Sequence, residues 1–522
     1  MRLVTFWEIV FLTACPAGFG QTTSAAINER TAARFLEQAT WGPSAASIAE
    51  MRQMGTANWL NNQFQLNISD LPDQPILDST GRPNRDLRPV QAAFFYNAVN
   101  GSDQLRQRVA FALSQIWVVS ATAGVADAYA YPPYWRIFRD NAFGNYRDII
   151  KAVTLNPAMG RYLNMANNNK GNPARGTAAN ENYARELLQL FTLGLAQLNL
   201  DGSPILDANQ NPISTYDQSA VTNLARALTG WTYPTAPGAM PKTNNPAYYA
   251  GQMFAVESQH DTTAKTIFGN ITLPAGRTAA QDLEAVLDAL MQQTTMAPFV
   301  CQQLIQHLVT SNPNRQFVER VSRVFLDNGQ GVRGDLKAVV GAILTDPDAR
   351  TGDSSSSMTN SNYGHMREPI LFLTSLLRGL NATVTPATTV YANGASMGEN
   401  LFNAPSVFSY FSPGYRTEKS LLGPEFQIYS TLTAAVRADV VNTAIYRTLD
   451  KETSVDLSPF TSRAGDLNTL LDYINGIFLH GSMSSDLRSA ALDAAGAAAT
   501  NQAKAQAALY IVLTSGEYQI IQ

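Results

Sequence analysis

Cysteine is nearly absent from this chain of 522 residues, which carries only Cys15 and Cys301. With Cys15 in an N-terminal segment that export would lipidate or remove, Cys301 stands alone and no structural disulfide is expected. Its setting, Phe299-Val300-Cys301-Gln302-Gln303-Leu304, is apolar on one side, so the thiol reads as buried rather than nucleophilic. Histidine is scarce too, at four residues. The chain has no His-Glu-x-x-His helix, no Cys-x-x-Cys and no Cys-x-x-Cys-His, which argues against a conventional zinc protease, a zinc ribbon or an attached haem. A Walker-type phosphate loop is also missing, and the nucleotide reading falls with it. Charged residues make up 15%, against roughly a quarter in ordinary globular proteins. Surface polarity must therefore come from Asn, Gln, Ser and Thr. A formal net charge of -4 leaves no clustered Lys and Arg to neutralise phosphates, so no nucleic-acid partner is expected.

What is present begins with an export pattern over residues 1–25: Arg2, an apolar run from Leu3 to Leu12 interrupted by Glu8, then small residues. Leu12-Thr13-Ala14-Cys15 resembles a lipoprotein signal in which Cys15 would carry lipid, and the rival is cleavage near Gly20 or Ala25. Beyond it no stretch approaches the ~20 apolar residues of a membrane span, so the mature chain is expected in the periplasm or at the cell surface, touching membrane only through such an anchor. Residues 26–522 are expected to form a single large helical domain, with lobe boundaries near 235–251 and 351–362. The fold class is mainly α, a large multi-helix globular body with small β-hairpin insertions and no repeat architecture. Ser44 caps a helix ending at Gly55, and further helices are predicted over Asp103 to Val119, Asn180 to Leu193, Asp217 to Leu228, Asp282 to Gln293, Pro298 to Val309, Arg367 to Leu380 and Pro424 to Ala435, among others. Hairpins are predicted over Ala196 to Ile213, with turns at Asp201-Gly202 and Asn209-Gln210, and over Thr266 to Leu273.

Chemistry is suggested most by Asn180 to Gly194. At ~100° per residue, Glu181, Asn182, Arg185, Glu186 and Gln189 share a polar face. A Glu on such a face suits a general acid or base; the competing account is a Glu181–Arg185 ion pair at i,i+4. A second candidate is Glu257 to Lys265, where His260 beside Asp261 and Lys265 in a loop could shuttle protons or ligate a metal, or simply cap the loop. Arg108 and Arg226, on largely apolar helices, need carboxylate partners, for which Glu181 and Glu186 are the obvious choices. His307, His365 and His480 read as structural.

Several segments, in order, resemble one bacterial family. They include Arg34-Phe35-Leu36, Thr40-Trp41-Gly42-Pro43, Asn180 to Gly194, Ala225 to Trp231, His260-Asp261, Thr310-Ser311-Asn312-Pro313, Arg367-Glu368-Pro369 and Ala404 to Phe408. The family is called domain of unknown function eighteen hundred. The resemblance implies an exported protein, often encoded beside an exported sulfatase-like protein and sharing a task with it, conceivably on polysaccharide. Asn164 stands where the similar sequences are expected to carry Asp.

Two functions remain open. The first is a hydrolase or lyase acting on an extracytoplasmic polymer such as polysaccharide. Its catalytic groups would be Glu181, Glu186, His260 and Asp261, with Asn182, Arg185, Arg226, Trp231 and Lys265 binding substrate. The second is a non-catalytic binding or assembly partner of an exported sulfatase-like enzyme, with a groove lined by Trp117, Tyr131, Tyr134, Trp135 and Trp231. No metal is assigned, the cofactor stays open, and metal-dependent redox chemistry survives only through His260 and its neighbouring acids.

Overall fold

Helix-forming periodicity dominates the chain, and in the computed structural model, which describes residues 27–354 and 362–521, about half the residues are helical. Among the described residues there are 21 α-helices and four two-stranded antiparallel sheets. The export pattern, Cys15 and most of the 351–362 boundary lie outside the described residues.

Local signals set most helix ends. Ser44 caps Ala45–Met54 through a reciprocal pair with Ser47, and Gly55 at φ 72 ends it. Asp217 caps Gln218–Ala227 by accepting from the Ala220 amide. Three predicted helices differ. Asp282 does not begin its helix: Thr278 and Gln281 form a capping box that starts it at Ala279, and Asp282 falls inside the first turn with its carboxylate turned inward. Pro424 to Ala435 is two elements, a 3-10 segment Pro424–Ile428 and a new helix Thr431–Tyr446, because Ser430 and Thr433 build another capping box. Asn180 to Leu193 is α-helical only over Asn182–Glu186; Leu187–Thr192 widens into π turns. There the Leu193 amide bonds back five residues to the Leu188 carbonyl at 2.9 Å, and Thr192 Oγ1 reaches the Leu187 carbonyl at 2.5 Å.

Both hairpin regions form. Lys265–Ile267 pairs with Ile271–Leu273, while 196–214 folds as a ribbon of isolated bridges, Ala196 to Ser214, Leu198 to Pro204 and Leu206 to Pro212. Buried apolar residues from Ala32 to Ile521 make one contiguous core. At its centre lie Gln104–Ile116, buried at every position but Ser114, and Pro369–Gly379. The aromatics proposed to line a groove are packed here instead: Trp117 stacks on Phe191 with centroids 4.3 Å apart, Trp135 meets Phe94 edge-on, and Tyr131, Tyr134 and Trp231 are buried. Cys301 is a buried free thiol, and burial raises its pKa, as expected of an inert cysteine.

The strand His365–Met366 pairs with Ile520–Ile521, so the end of the chain is sewn to its centre. Beside it Arg367 pairs with Glu37 at 3.0 Å, both within 4% of full burial. Burial alone would raise the Glu37 carboxyl, but Arg367 and His480 hold it at about 2. Asn164, at φ 59, turns the chain after the helix Pro157–Tyr162; a left-handed residue there suits Asn or Asp, and its side chain is exposed.

Two glycines should respond oppositely to alanine. Gly42 has φ +114 and its added Cβ would lie 2.5 Å from Ser375 Cα, so Gly42→Ala is expected to lower unfolding free energy by about 2 kcal/mol or more in urea titration. Gly341 sits within the helix Leu336–Thr345 with nothing inside 4 Å of an added Cβ, so Gly341→Ala should raise it by up to about 1 kcal/mol.

Candidate functional site

The residues singled out by sequence divide into two networks along one helix. Gln218, Thr222 and Arg226 recur every four residues on Gln218–Ala227 and form a polar ladder. Its first two rungs hold Glu181: Gln218 donates at 2.8 Å and Thr222 at 2.7 Å, while Arg185 pairs with it at 3.0 Å. Partial burial acts to raise this carboxyl, yet those hydrogen bonds and Arg185 bring it below its ordinary value. The third rung, Arg226, pairs with Asp261 at 2.8 Å. Against the upward pull of burial, Arg226 and Thr263 hold Asp261 at about 2. Arg226 therefore finds Asp261 rather than Glu181 or Glu186. Arg108 finds neither of them: its guanidinium donates to the His307 carbonyl and its nearest acid is Glu368.

His260 and Lys265 belong to the second network. Both side chains have no solvent exposure. His260 Nδ1 lies 2.9 Å from the Thr229 carbonyl and Nε2 3.2 Å from Asp282 Oδ2, which also receives Lys265 Nζ at 2.7 Å; Arg277 takes the other oxygen at 2.6 Å. Asp282 thus ties the hairpin, the loop and its own helix together. Glu186 stands apart, half-buried near Tyr162, Tyr216 and Arg185; burial raises its pKa although Arg185 opposes the shift. Asn182 is exposed, and its amide donates to Asn180 Oδ1 at 2.9 Å.

A cavity of about 530 Å³ opens elsewhere, between the π turns, the helix Met296–Leu308, the 407–414 loop and the start of the 424–428 segment. None of Glu181, Asn182, Arg185, Glu186, Arg226, Trp231, His260, Asp261 and Lys265 lines it, but the far end of the same motif does, through Gln189, Leu190 and Gly194. Its walls are mostly apolar, with Leu195, Leu198, Phe299, Phe408 and Phe411, and glutamines 302, 303 and 306 present amides along one helix face. No Lys or Arg is among the lining residues. Ser409, on the rim, holds φ 65, a conformation that a residue with a side chain rarely adopts.

The floor is ionisable. Gln115, His307, Ser311 and Glu425 reach it, with Arg108, His365, Glu368 and Glu399 packed behind. Gln115 Nε2 donates to Glu368 Oε2 at 2.6 Å and lies 3.5 Å from Glu399 Oε1. Glu399 Oε2 accepts the Ile370 amide at 2.9 Å, at the N-terminus of Pro369–Gly379. Burial raises the pKa of both carboxyls; Glu425 adds to the shift of Glu368 and Glu368 to that of Glu399, while Arg108 and Gln115 oppose it for Glu368. Glu399 is the more strongly shifted of the two, because the Glu368 charge adds to the cost of its burial. Burial, Arg108 and His365 push His307 down to about 3, so its ring is neutral.

Unused hydrogen-bonding capacity gathers at this floor, as it also does around Glu37, Arg350 and Arg367. His365 Nδ1 comes within 3.3 Å of Glu425 Oε1 without the alignment of a hydrogen bond. His365 Nε2, Glu425 Oε2, Ser311 Oγ, Gln115 Oε1 and Arg108 Nε are buried with no partner. Among the described residues no three His, Cys, Asp or Glu are arranged to hold a metal ion. His365 and His307 were read from sequence as structural, and Ser311, Glu368, Glu399 and Glu425 were not singled out as chemistry-bearing. Glu425 sat in a segment read as plain helix, and Ser311 and Glu368 gave no local pattern beyond the family resemblance.

The chain belongs to the family described as a protein of unknown function (DUF1800), whose model matches residues 34–520, nearly its whole length. No curated protein and no solved structure matches it.

Two stability measurements check this electrostatic picture. Asp282→Ala would strand buried Lys265 and is expected to lower unfolding free energy by about 3 kcal/mol or more, read by urea titration at pH 7. His307 titrates at about 3 when folded and near its ordinary 6.5 when unfolded, so the unfolded chain binds the extra proton as pH falls. Its contribution is complete above pH 6.5 and is lost on acidification toward 3. His307→Asn should flatten the decline between pH 6.5 and 5 by about 1 kcal/mol per pH unit.

Proposed function

We propose that the protein is a hydrolase or lyase that works by acid–base chemistry at the floor of this cavity, on a polymer outside the cytoplasm. The single observation that carries the reading is the gathering of buried, partnerless polar atoms on His365, Glu425, Ser311 and Gln115 beneath a solvent-reaching cavity. A folded protein leaves such groups unpaired at a cost of about 1–3 kcal/mol each, so their concentration is better suited to receiving a ligand than to holding the fold. The His365–Glu425 pair supplies a base. Glu399, whose pKa burial and the neighbouring Glu368 raise, supplies the acid. In this reading Glu181, Glu186, His260 and Asp261 are scaffold.

The glutamines on the wall hydrogen-bond as both donors and acceptors and suit a hydroxyl-rich, uncharged chain, which supports polysaccharide as the polymer. Location outside the cytoplasm, with or without a lipid on Cys15, rests on the N-terminal pattern. A second reading, a non-catalytic partner of an exported sulfatase-like enzyme, draws on Leu195 and Phe408, which are 63% and 41% exposed at the cavity mouth.

The test is a screen of the purified protein on neutral and acylated polysaccharides, reading reducing ends, unsaturated products and released acid. Glu425→Gln and His365→Gln are expected to cut turnover by about 100-fold or more, while Glu181→Gln keeps it. Turnover that survives both floor substitutions sinks the acid–base assignment. Absence of any turnover together with co-purification of a sulfatase-like protein moves the weight to the second reading.

A further inference from the structure

Resting on that placement of the site, we propose that Ser311 is a nucleophile, with His365 as its base and Glu425 orienting the imidazole, and that the substrate is a carboxylic ester of an uncharged, apolar acyl group. Three independent features lead there. The Ser311 amide donates to the Gly364 carbonyl at 3.0 Å, and Thr310 Oγ1 both accepts from the Gly364 amide at 3.0 Å and lies 3.2 Å from its carbonyl. The backbone carrying Ser311 is therefore clamped to the residue preceding His365. Glu425 approaches the His365 ring to 3.3 Å from Nδ1, the nitrogen a carboxylate must hold if Nε2 is to take a proton from a hydroxyl. Nε2 and Ser311 Oγ, the two atoms that such a proton transfer would join, are both buried and both lack a partner.

The Gly-x-Ser-x-Gly elbow does not bear on this arrangement: the string Gly394 to Gly398 puts exposed Ser396 at the end of the helix Tyr391–Ser396, its hydroxyl donating to the Ala392 carbonyl at 2.8 Å, and the triad is defined by geometry and roles and recurs on unrelated folds. What the elbow provides elsewhere, a fixed backbone under the serine, is provided here by the Thr310–Gly364 clamp.

The cavity selects the acyl group. Leu190, Leu198, Phe299 and Phe411 offer an apolar wall, no cation is present to hold an acid, and Glu425 with the carboxyl pair behind it would repel one. Gln302, Gln303 and Gln306 share the helix face of Phe299 and offer their amides to the hydroxyl-bearing alcohol.

The chemistry balances without a co-reactant other than water. Ser311 Oγ forms a bond to the ester carbonyl carbon as its proton moves to His365 Nε2. The bond from that carbon to the alcohol oxygen then breaks, and the leaving oxygen takes the proton from Nε2. Water adds to the acyl-serine, giving its proton to His365. The carbon–Oγ bond breaks, the carboxylic acid leaves, and the proton returns to Oγ.

The experiment is covalent labelling of the intact wild-type protein with an alkyl fluorophosphonate, followed by peptide mass mapping. One phosphonyl adduct on Ser311 is expected, suppressed at least 10-fold by His365→Gln and by Glu425→Gln, together with release of acid from 4-nitrophenyl butyrate that Ser311→Ala abolishes. Ser311→Thr serves as a second variant, because its hydroxyl preserves polarity at the floor if the alanine variant does not fold. No adduct on Ser311, or an adduct on Ser409 in its place, overturns the proposal. If Glu425→Gln abolishes turnover of a polymer while Ser311→Ala keeps it and Ser311 stays unlabelled, the acid–base reading stands and the nucleophile falls. If Ser311 labels and both floor substitutions suppress the adduct, the nucleophile stands whichever polymer is turned over.

Discussion

Arg108 is a guanidinium 1% exposed in a helix buried at every position but Ser114, and burial lowers its pKa against the opposing charges of Glu368, Glu37, Glu399 and Glu425. A cation so placed cannot persist without negative charge near it. That requirement draws the start of Pro369–Gly379, the 399 loop and the 424–428 segment onto one face of Gln104–Ile116. Acids outnumber the cation they answer to, and the surplus shows as the raised pKa of Glu399, which burial and Glu368 together produce. The cavity floor is the solvent-side edge of this arrangement. The groups proposed to do chemistry are thus also the groups that bring four chain segments together.

A second buried electrostatic knot acts far from the cavity and has a different character. Asp282 uses both oxygens on His260, Lys265 and Arg277, so no capacity is left for a ligand. The contrast with the floor is the reason the two are read differently. In the Asp282 knot the hydrogen bonds are made within the protein, whereas at the floor five buried polar atoms remain partnerless. Strain points the same way: the π turns and the left-handed Ser409 both border the cavity.

Helix periodicity and capping residues were legible along the chain because each depends on a few neighbouring side chains. Ser44, Asp217 and Gly55 act where their spacing places them. The errors arose where two local signals competed. Thr278 with Gln281 outranked Asp282 as a helix start, and Ser430 with Thr433 divided a segment that periodicity alone would join. The Glu181–Arg185 pair also followed from spacing, since i,i+4 geometry is a property of one helix. Asp261 as the partner of Arg226 did not, because the two are brought together by packing between a loop and a helix.

The amino-acid sequence by itself determined the helical class, the family, the two hairpin regions and the inertness of Cys301, all of which follow from local pattern or from ordered similarity over the chain. Tertiary structure alone decided which polar residues share a cavity. Ser311, the neighbouring pair His365 and Glu368, and Glu425 come from three separate segments, and no periodicity links the three. Their convergence is set by the need to surround buried Arg108 with acids, a demand of low-dielectric packing that has no signature in the spacing of residues along the chain.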